Sequence, residues 1–225
     1  MTRYSSLSTL LFSSLVALVP SLAAAAAVVH GTVVLPDDLK SGRRFLGHWR
    51  VENTTVPVQP SPRGDTVVVL IGPKPQVLAP KNTPVEIAGM QANPATVVVG
   101  EGGVVEFRNS DKVSHDFSVP GRPDIMPSER LSPGTVRKQR FGISGEYVVR
   151  CTEYPHVMVS VIVTSSPFFA AVDEKGGFKL LDVPEGPATL KVWSNGRWVH
   201  EQVVEVTPKG DDLTIKVSST ANPTE

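Results

Sequence analysis

Past about residue 28, the apolar positions fall in short β-branched runs cut by turn residues. They cover residues 31–35, 66–71, 95–99, 103–107, 115–119, 135–141, 145–151, 158–164, 177–181, 188–193, 199–206 and 213–217. Within 145–151 the alternation puts Tyr147, Val149 and Cys151 on one face of a strand, because successive side chains point to opposite sides. Glycine-rich breaks at 100–103, 144–145, 175–177 and 184–186 supply the turns. No sustained helical period appears after the first few dozen residues. The pattern predicts an all-β protein, with antiparallel strands packed as sandwiches.

The first 27 residues read differently. Arg3 precedes an apolar stretch from Leu7 to Val19, and small residues follow at Ala23 to Ala27. That order marks a secretory leader, with cleavage expected near residues 25–27. Ser13, Ser14, Pro20 and Ser21 interrupt the stretch, which is also short for a membrane span. The expected location is periplasmic or secreted, with no membrane span once the leader is removed.

The 225 residues are enough for one or two domains. Twenty-two basic residues balance 22 acidic ones, which excludes the electrostatic footprint of a nucleic-acid or anionic-membrane binder. The single cysteine rules out an internal disulfide, so burial must hold the fold. Segment 36–63 is the least regular and carries Lys40, Arg43, Arg44, His48 and Arg50 near Phe45 and Trp49. It reads as an irregular solvated loop, with a docking patch as the alternative.

Chemistry concentrates between residues 89 and 165. The 103–107 run leads into Asn109 and Asp111, and Asp111 stands four residues before His115. The 145–151 run ends in Cys151, with His156 and Met158 just beyond. One thiolate, two imidazoles and one thioether are the donor set of a blue-copper site, where soft sulfur suits Cu(I) and imidazole suits Cu(II). Taken singly, each has a plainer reading. Cys151 could be a buried apolar thiol, His115 a surface residue and Met158 part of a strand's buried face. A nucleophilic Cys151–His156 pair lacks a third, orienting group, so the chain is not expected to be an enzyme.

The stretch from Met90 to Thr164 resembles the plastocyanin- and azurin-like cupredoxins, through Gln91, the run Val97–Gly100, Phe107-x-Asn109-x-Asp111, His115 and the strand ending at Cys151. The resemblance implies a cupredoxin-type Greek-key β-sandwich holding copper through His115, Cys151, His156 and Met158, and an electron carrier that meets a redox partner protein. The loop departs from the family pattern. Short-loop members read Cys-x-x-His-Pro-x-Met, and an ungapped alignment puts Tyr154 in place of the histidine and Val157 in place of the methionine. His156 fits the Cys-x4-His spacing of azurin-like members, but Met158 then follows after only two residues. Imidazole binds copper far better than a neutral phenol, so His156 is expected over Tyr154. Met126 offers a further thioether, read as a packing residue. Two alternatives stay open: copper binding or delivery without redox turnover, and a metal-free interaction module of the cell envelope.

A second resemblance covers residues 167–219. Phe168–Ala170, Asp173–Phe178, Asp182–Gly186 and Leu190–Trp193 look like the carboxypeptidase-regulatory-like, transthyretin-like sandwich. This non-catalytic module implies a structural or adhesive role. The expected organisation is a leader (1–27), N-terminal strands (28–72), a cupredoxin-like domain (89–165), a carboxypeptidase-regulatory-like sandwich (167–219) and a tail (220–225). Residues 28–72 hold only two convincing strands, too few to bury a core alone, so they are expected to pair with 167–219.

Overall fold

The computed structural model describes residues 26–40, 65–72 and 82–218. The basic segment beyond Lys40 and nearly all of the expected leader lie outside them. The strands are β1 (Ala26–Val34), β2 (Val67–Ile71), β3 (Asn82–Ala88), β4 (Gln91–Asn93), β5 (Thr96–Gly100), β6 (Gly103–Asn109), β7 (His115–Ser118) and β8 (Glu129–Leu131). There follow β9 (Val136–Phe141), β10 (Gly145–Cys151), β11 (Met158–Thr164), β12 (Phe168–Ala171), β13 (Gly177–Pro184), β14 (Gly186–Ser194), β15 (Arg197–Val206) and β16 (Asp211–Lys216). One helical turn, Asp37–Lys40, follows β1.

The strands form four sheets, in the orders β13-β1-β16, β12-β2-β14-β15, β5-β11-β10-β7-β8 and β4-β3-β6-β9. The first two enclose one core, with Val29, Val33, Val68, Leu70, Leu180, Leu190, Val192 and Ile215 inside. The last two enclose another, around Val85, Ile87, Val105, Phe107, Phe117, Phe141, Val149, Cys151 and Val159. Both early strands join the C-terminal ones: β1 pairs antiparallel with β13 and parallel with β16, and β2 lies antiparallel between β12 and β14. Gly31 permits the β1–β16 contact, since a Cβ there would run into the Leu213 carbonyl. Ala26 and Ala27 already belong to β1, and Ala27 is buried in the core. A leader ending at Ala27 would therefore remove a core residue.

A third cluster joins the two sandwiches. Val67 and Val69 of β2 and Trp193 of β14 meet Val98 of β5 and Ile162 of β11, with Phe169 and Trp198 alongside. The strands β2, β5 and β11 are thus covered on both faces, which explains apolar runs such as Val67–Ile71 that do not alternate. Polar contacts tie the same seam. Trp198 Nε1 donates to Glu146 Oε1 at 2.7 Å, and the Thr96 hydroxyl donates to Asp65. Trp193 and Trp198 meet edge to face at 5.2 Å, under the Lys191 ammonium.

Strands β3, β4 and β8 were not legible as apolar runs. Strand β3 carries Asn82, Pro84 and Glu86 but buries Val85 and Ile87 while running parallel to β6. The second sandwich thereby takes in residues N-terminal to position 89.

Candidate metal centre

Every candidate donor lies at the end of the second sandwich where β6 finishes, β7 begins and β10 passes into β11. The antiparallel register sets Cys151 opposite Phe117, so His115, two residues earlier, shares its inward face. Cys151 and His115 are both fully buried. Phe117 stacks against His115 on one side, with ring centroids at 5.6 Å, and against Phe107 on the other, at 5.9 Å.

The segment before His115 is shaped by Asn109, itself fully buried. Its amide donates to the carbonyls of Val113 at 2.8 Å and Leu131 at 2.9 Å, while its Oδ1 accepts the Asp111 N–H at 2.9 Å. The turn this creates delivers the Asp111 carboxylate to His115 Nε2, at 2.9 Å. Asp111 also accepts the backbone N–H of Met90, at 3.1 Å. A carboxylate can only accept, so the proton sits on Nε2 and the lone pair on Nδ1 points away from Asp111. That Nδ1 is buried with no hydrogen-bond partner. Buried polar atoms are normally satisfied, and a carboxylate-held imidazole with an orphaned inner nitrogen is the arrangement metal-binding histidines adopt.

From β8 and β9, the half of the sandwich beside β7 is tied down by Arg137. This buried guanidinium donates to the carbonyls of Phe117 and Pro127, each at 2.8 Å, and pairs with Glu129 at 3.3 Å. Burial lowers its pKa, an effect that Glu129 and Asp116 oppose.

The loop after Cys151 turns tightly. The Cys151 N–H reaches the Val157 carbonyl at 3.0 Å, and Val157 N–H reaches the Tyr154 carbonyl at 2.8 Å. Tyr154 N–H points at the Cys151 sulfur, at 3.4 Å. Thr152 N–H joins the loop to the Asp116 carbonyl at 2.8 Å. The half-buried Tyr154 ring meets His115 edge-on at 5.6 Å and His156 edge-on at 6.4 Å. His156 is half-buried with its Nδ1 inside, and its pKa is lowered, mainly by burial and secondarily by nearby His115.

The four expected donors are not equally placed. His115, Cys151 and His156 border the same buried end of the core, with Tyr154 against both imidazoles. Met158 pairs with exposed Arg150, whereas its neighbours Val157 and Val159 are buried in the core. The pleat therefore puts Met158 on Arg150's face of the sheet, away from Cys151. Met126 is a fully buried packing residue of this core. Among the described residues, no three His, Cys, Asp or Glu side chains are gathered closely enough to hold a metal ion. The donor types and the orphaned His115 Nδ1 suit copper, but among the described residues the donors are not gathered into a group that would hold it. Asp111 is the functional candidate that donor counting passed over. Its signal was the four-residue spacing to His115 at a strand end.

The fold is all β, two β-sandwiches joined along a shared apolar seam. Solved structures similar to it include amicyanin from Paracoccus versutus, 21% identical over 43% of this chain and 97% of that one, with a TM-score of 0.33. A purple cupredoxin from Nitrosopumilus maritimus is 19% identical over 36% of this chain and 99% of that one, at a TM-score of 0.33. A copper-containing nitrite reductase from Thermus scotoductus is 26% identical over 39% of this chain, at a TM-score of 0.32; the match spans only 23% of the reductase. No family model matches the sequence, and no curated protein matches it.

Proposed function

We propose that this chain is an exported copper protein that carries single electrons, with His115, Cys151 and His156 as its copper donors. The observation that carries this reading is the buried, unpartnered Nδ1 of an imidazole whose other nitrogen is held by Asp111, at the same core end as a buried thiol. Bound copper would supply a one-electron couple. The chain's own part is to keep the His115 tautomer fixed through Asp111, to offer Tyr154 N–H to the cysteine sulfur and to exclude water with Phe117 and Tyr154. Met158 was expected as an axial thioether; its place on the outer face leaves a three-donor set. The sandwich of β1, β2 and β12–β16 is read as a non-catalytic, carboxypeptidase-regulatory-like support, and the whole as a periplasmic or secreted non-enzyme. Among the described residues, no helix is long and apolar enough to cross a membrane. A redox partner protein would dock over Pro155 and His156, where the loop reaches the surface.

The test is an optical and EPR titration with Cu(II). The expected result is about one copper per chain with intense visible thiolate-to-copper charge transfer, lost in Cys151→Ser. His156→Ala should remove the coloured species, while Tyr154→Phe should leave it. A colourless adduct insensitive to Cys151→Ser would favour copper delivery without redox turnover, and no binding at all would favour a metal-free module.

A further inference from the structure

We propose that the outer face of the β13-β1-β16 sheet binds a small carboxylate with an apolar body, in a groove flanked by Lys179 and Lys209. This inference is independent of copper and gives a binding role to the sandwich read above as a support. The groove measures about 680 Å³ and opens to solvent. It is lined by Val28 and His30 of β1, Ala170 and Ala171 of β12, Lys179 of β13 and Lys209 of the turn before β16. That volume lies within the range of pockets that take small organic molecules.

Strand register puts these groups on one face. His30 lies opposite Lys179 and both are exposed, so both side chains stand on the outward side of the sheet. Val28, 38% exposed, and Leu181, 56% exposed, share that face two residues away along β1 and β13. Lys209 is brought in from the other flank of β1 by Gly210. A Cβ there would lie 2.6 Å from the Val28 carbonyl oxygen, and its φ of 79° suits glycine, so the turn presses directly onto β1. Asp173, the acid among the lining residues, is occupied: its carboxylate accepts the N–H groups of Lys175 and Gly177, each at 2.8 Å. Two ammonium groups against one engaged carboxylate match a single negative charge. The apolar neighbours match a carbon chain better than a bare inorganic anion. Asp212, beside His30 on β16, opposes an anion and keeps the affinity modest.

The experiment is a heteronuclear amide NMR titration of the full chain with hexanoate, acetate, hexanol and inorganic phosphate. Exposed ion pairs are individually weak, so hexanoate should saturate with a Kd of about 1–10 mM. The signals expected to shift are those of Val28, His30, Lys179 and Gly210. Acetate should bind about tenfold more weakly, since each methylene half-covered in an open groove is worth about a factor of two. Hexanol should cause no saturable shift. Lys179→Gln and Lys209→Gln, both at exposed positions, should each weaken hexanoate about threefold while the rest of the amide spectrum stays that of wild type. Phosphate binding as tightly as hexanoate would show a general anion patch and overturn the proposal. So would hexanol shifting the same signals equally, which would show an apolar surface that does not recognise charge. Shifts that never saturate, or that both lysine variants leave unchanged, would also overturn it.

Discussion

The decisive residue pair is Asp111 and His115, because it fixes which imidazole nitrogen is left over. Asp111→Ala frees the ring to change tautomer and orientation. Copper affinity should fall by about ten- to a hundredfold, as when other carboxylate–histidine supports are removed. Asp111→Asn retains an acceptor oxygen and should lose less, and chelator competition with Cu(I) measures both. A second acidic residue, in the other sandwich, contributes to acid stability. Asp173 accepts the backbone N–H groups of Gly177 and Lys175, each at 2.8 Å, and these bonds hold its pKa below the ordinary 3.8. A carboxyl depressed in the folded state contributes stability that is present above its unfolded pKa and lost as pH falls through the folded value. Thermal unfolding followed from pH 6 to pH 2 should therefore show a drop below about pH 4 in wild type. Asp173→Asn should flatten that acid limb.

Among the elements, the β6–β7 connection does most to build the centre. Asn109 sits at the end of β6 with three backbone partners drawn from residues 111, 113 and 131. Replacing it by leucine keeps the bulk but strands the buried Leu131 carbonyl and the part-buried Val113 carbonyl and Asp111 N–H. Stability should fall by about 1–3 kcal/mol, read from urea unfolding, since one buried and two part-buried backbone groups lose their partner at once. The same variant should loosen His115, which urea midpoints alone would not reveal but the chelator competition would. Asn109, two residues after Phe107, was visible in the sequence. Its three partners were not, because they lie on a turn and on β8, a strand too short and too charged to be recognised.

At the scale of the whole molecule, two sandwiches share a seam, and β1 and β2 reach across the sequence to join strands about a hundred residues later or more. A chain truncated after Thr164 loses β12 to β16 and leaves β1 and β2 without the strands they pair with. It also uncovers Val98 and Ile162. Exposed edges and an exposed apolar face promote association, so this truncation should aggregate where the full chain stays monodisperse in size-exclusion chromatography. A soluble monomer with β1 and β2 still protected from hydrogen exchange would show that the seam is dispensable.

What the sequence determined by itself was local: the all-β class, the turn glycines, and the inward face of Tyr147, Val149 and Cys151, all of which follow from a period of two along single strands. The candidates His115 and His156 were legible too, as rare donor types beside strand ends. The tertiary structure decided everything that depends on which faces are covered. Val67–Leu70 is buried at every position because the second sandwich lies on its outer side, a fact no window of four residues contains. Met158 reads as a donor by spacing, yet its pairing with Arg150 turns it outward, because facing is set by strand register and not by distance along the chain. Strand β3 exists although Pro84 and Glu86 weaken its pattern, since the parallel ladder to β6 and the burial of Val85 and Ile87 outweigh local preference. And the unpartnered nitrogen of His115 could emerge only once Asp111 had been folded back onto the other side of its ring.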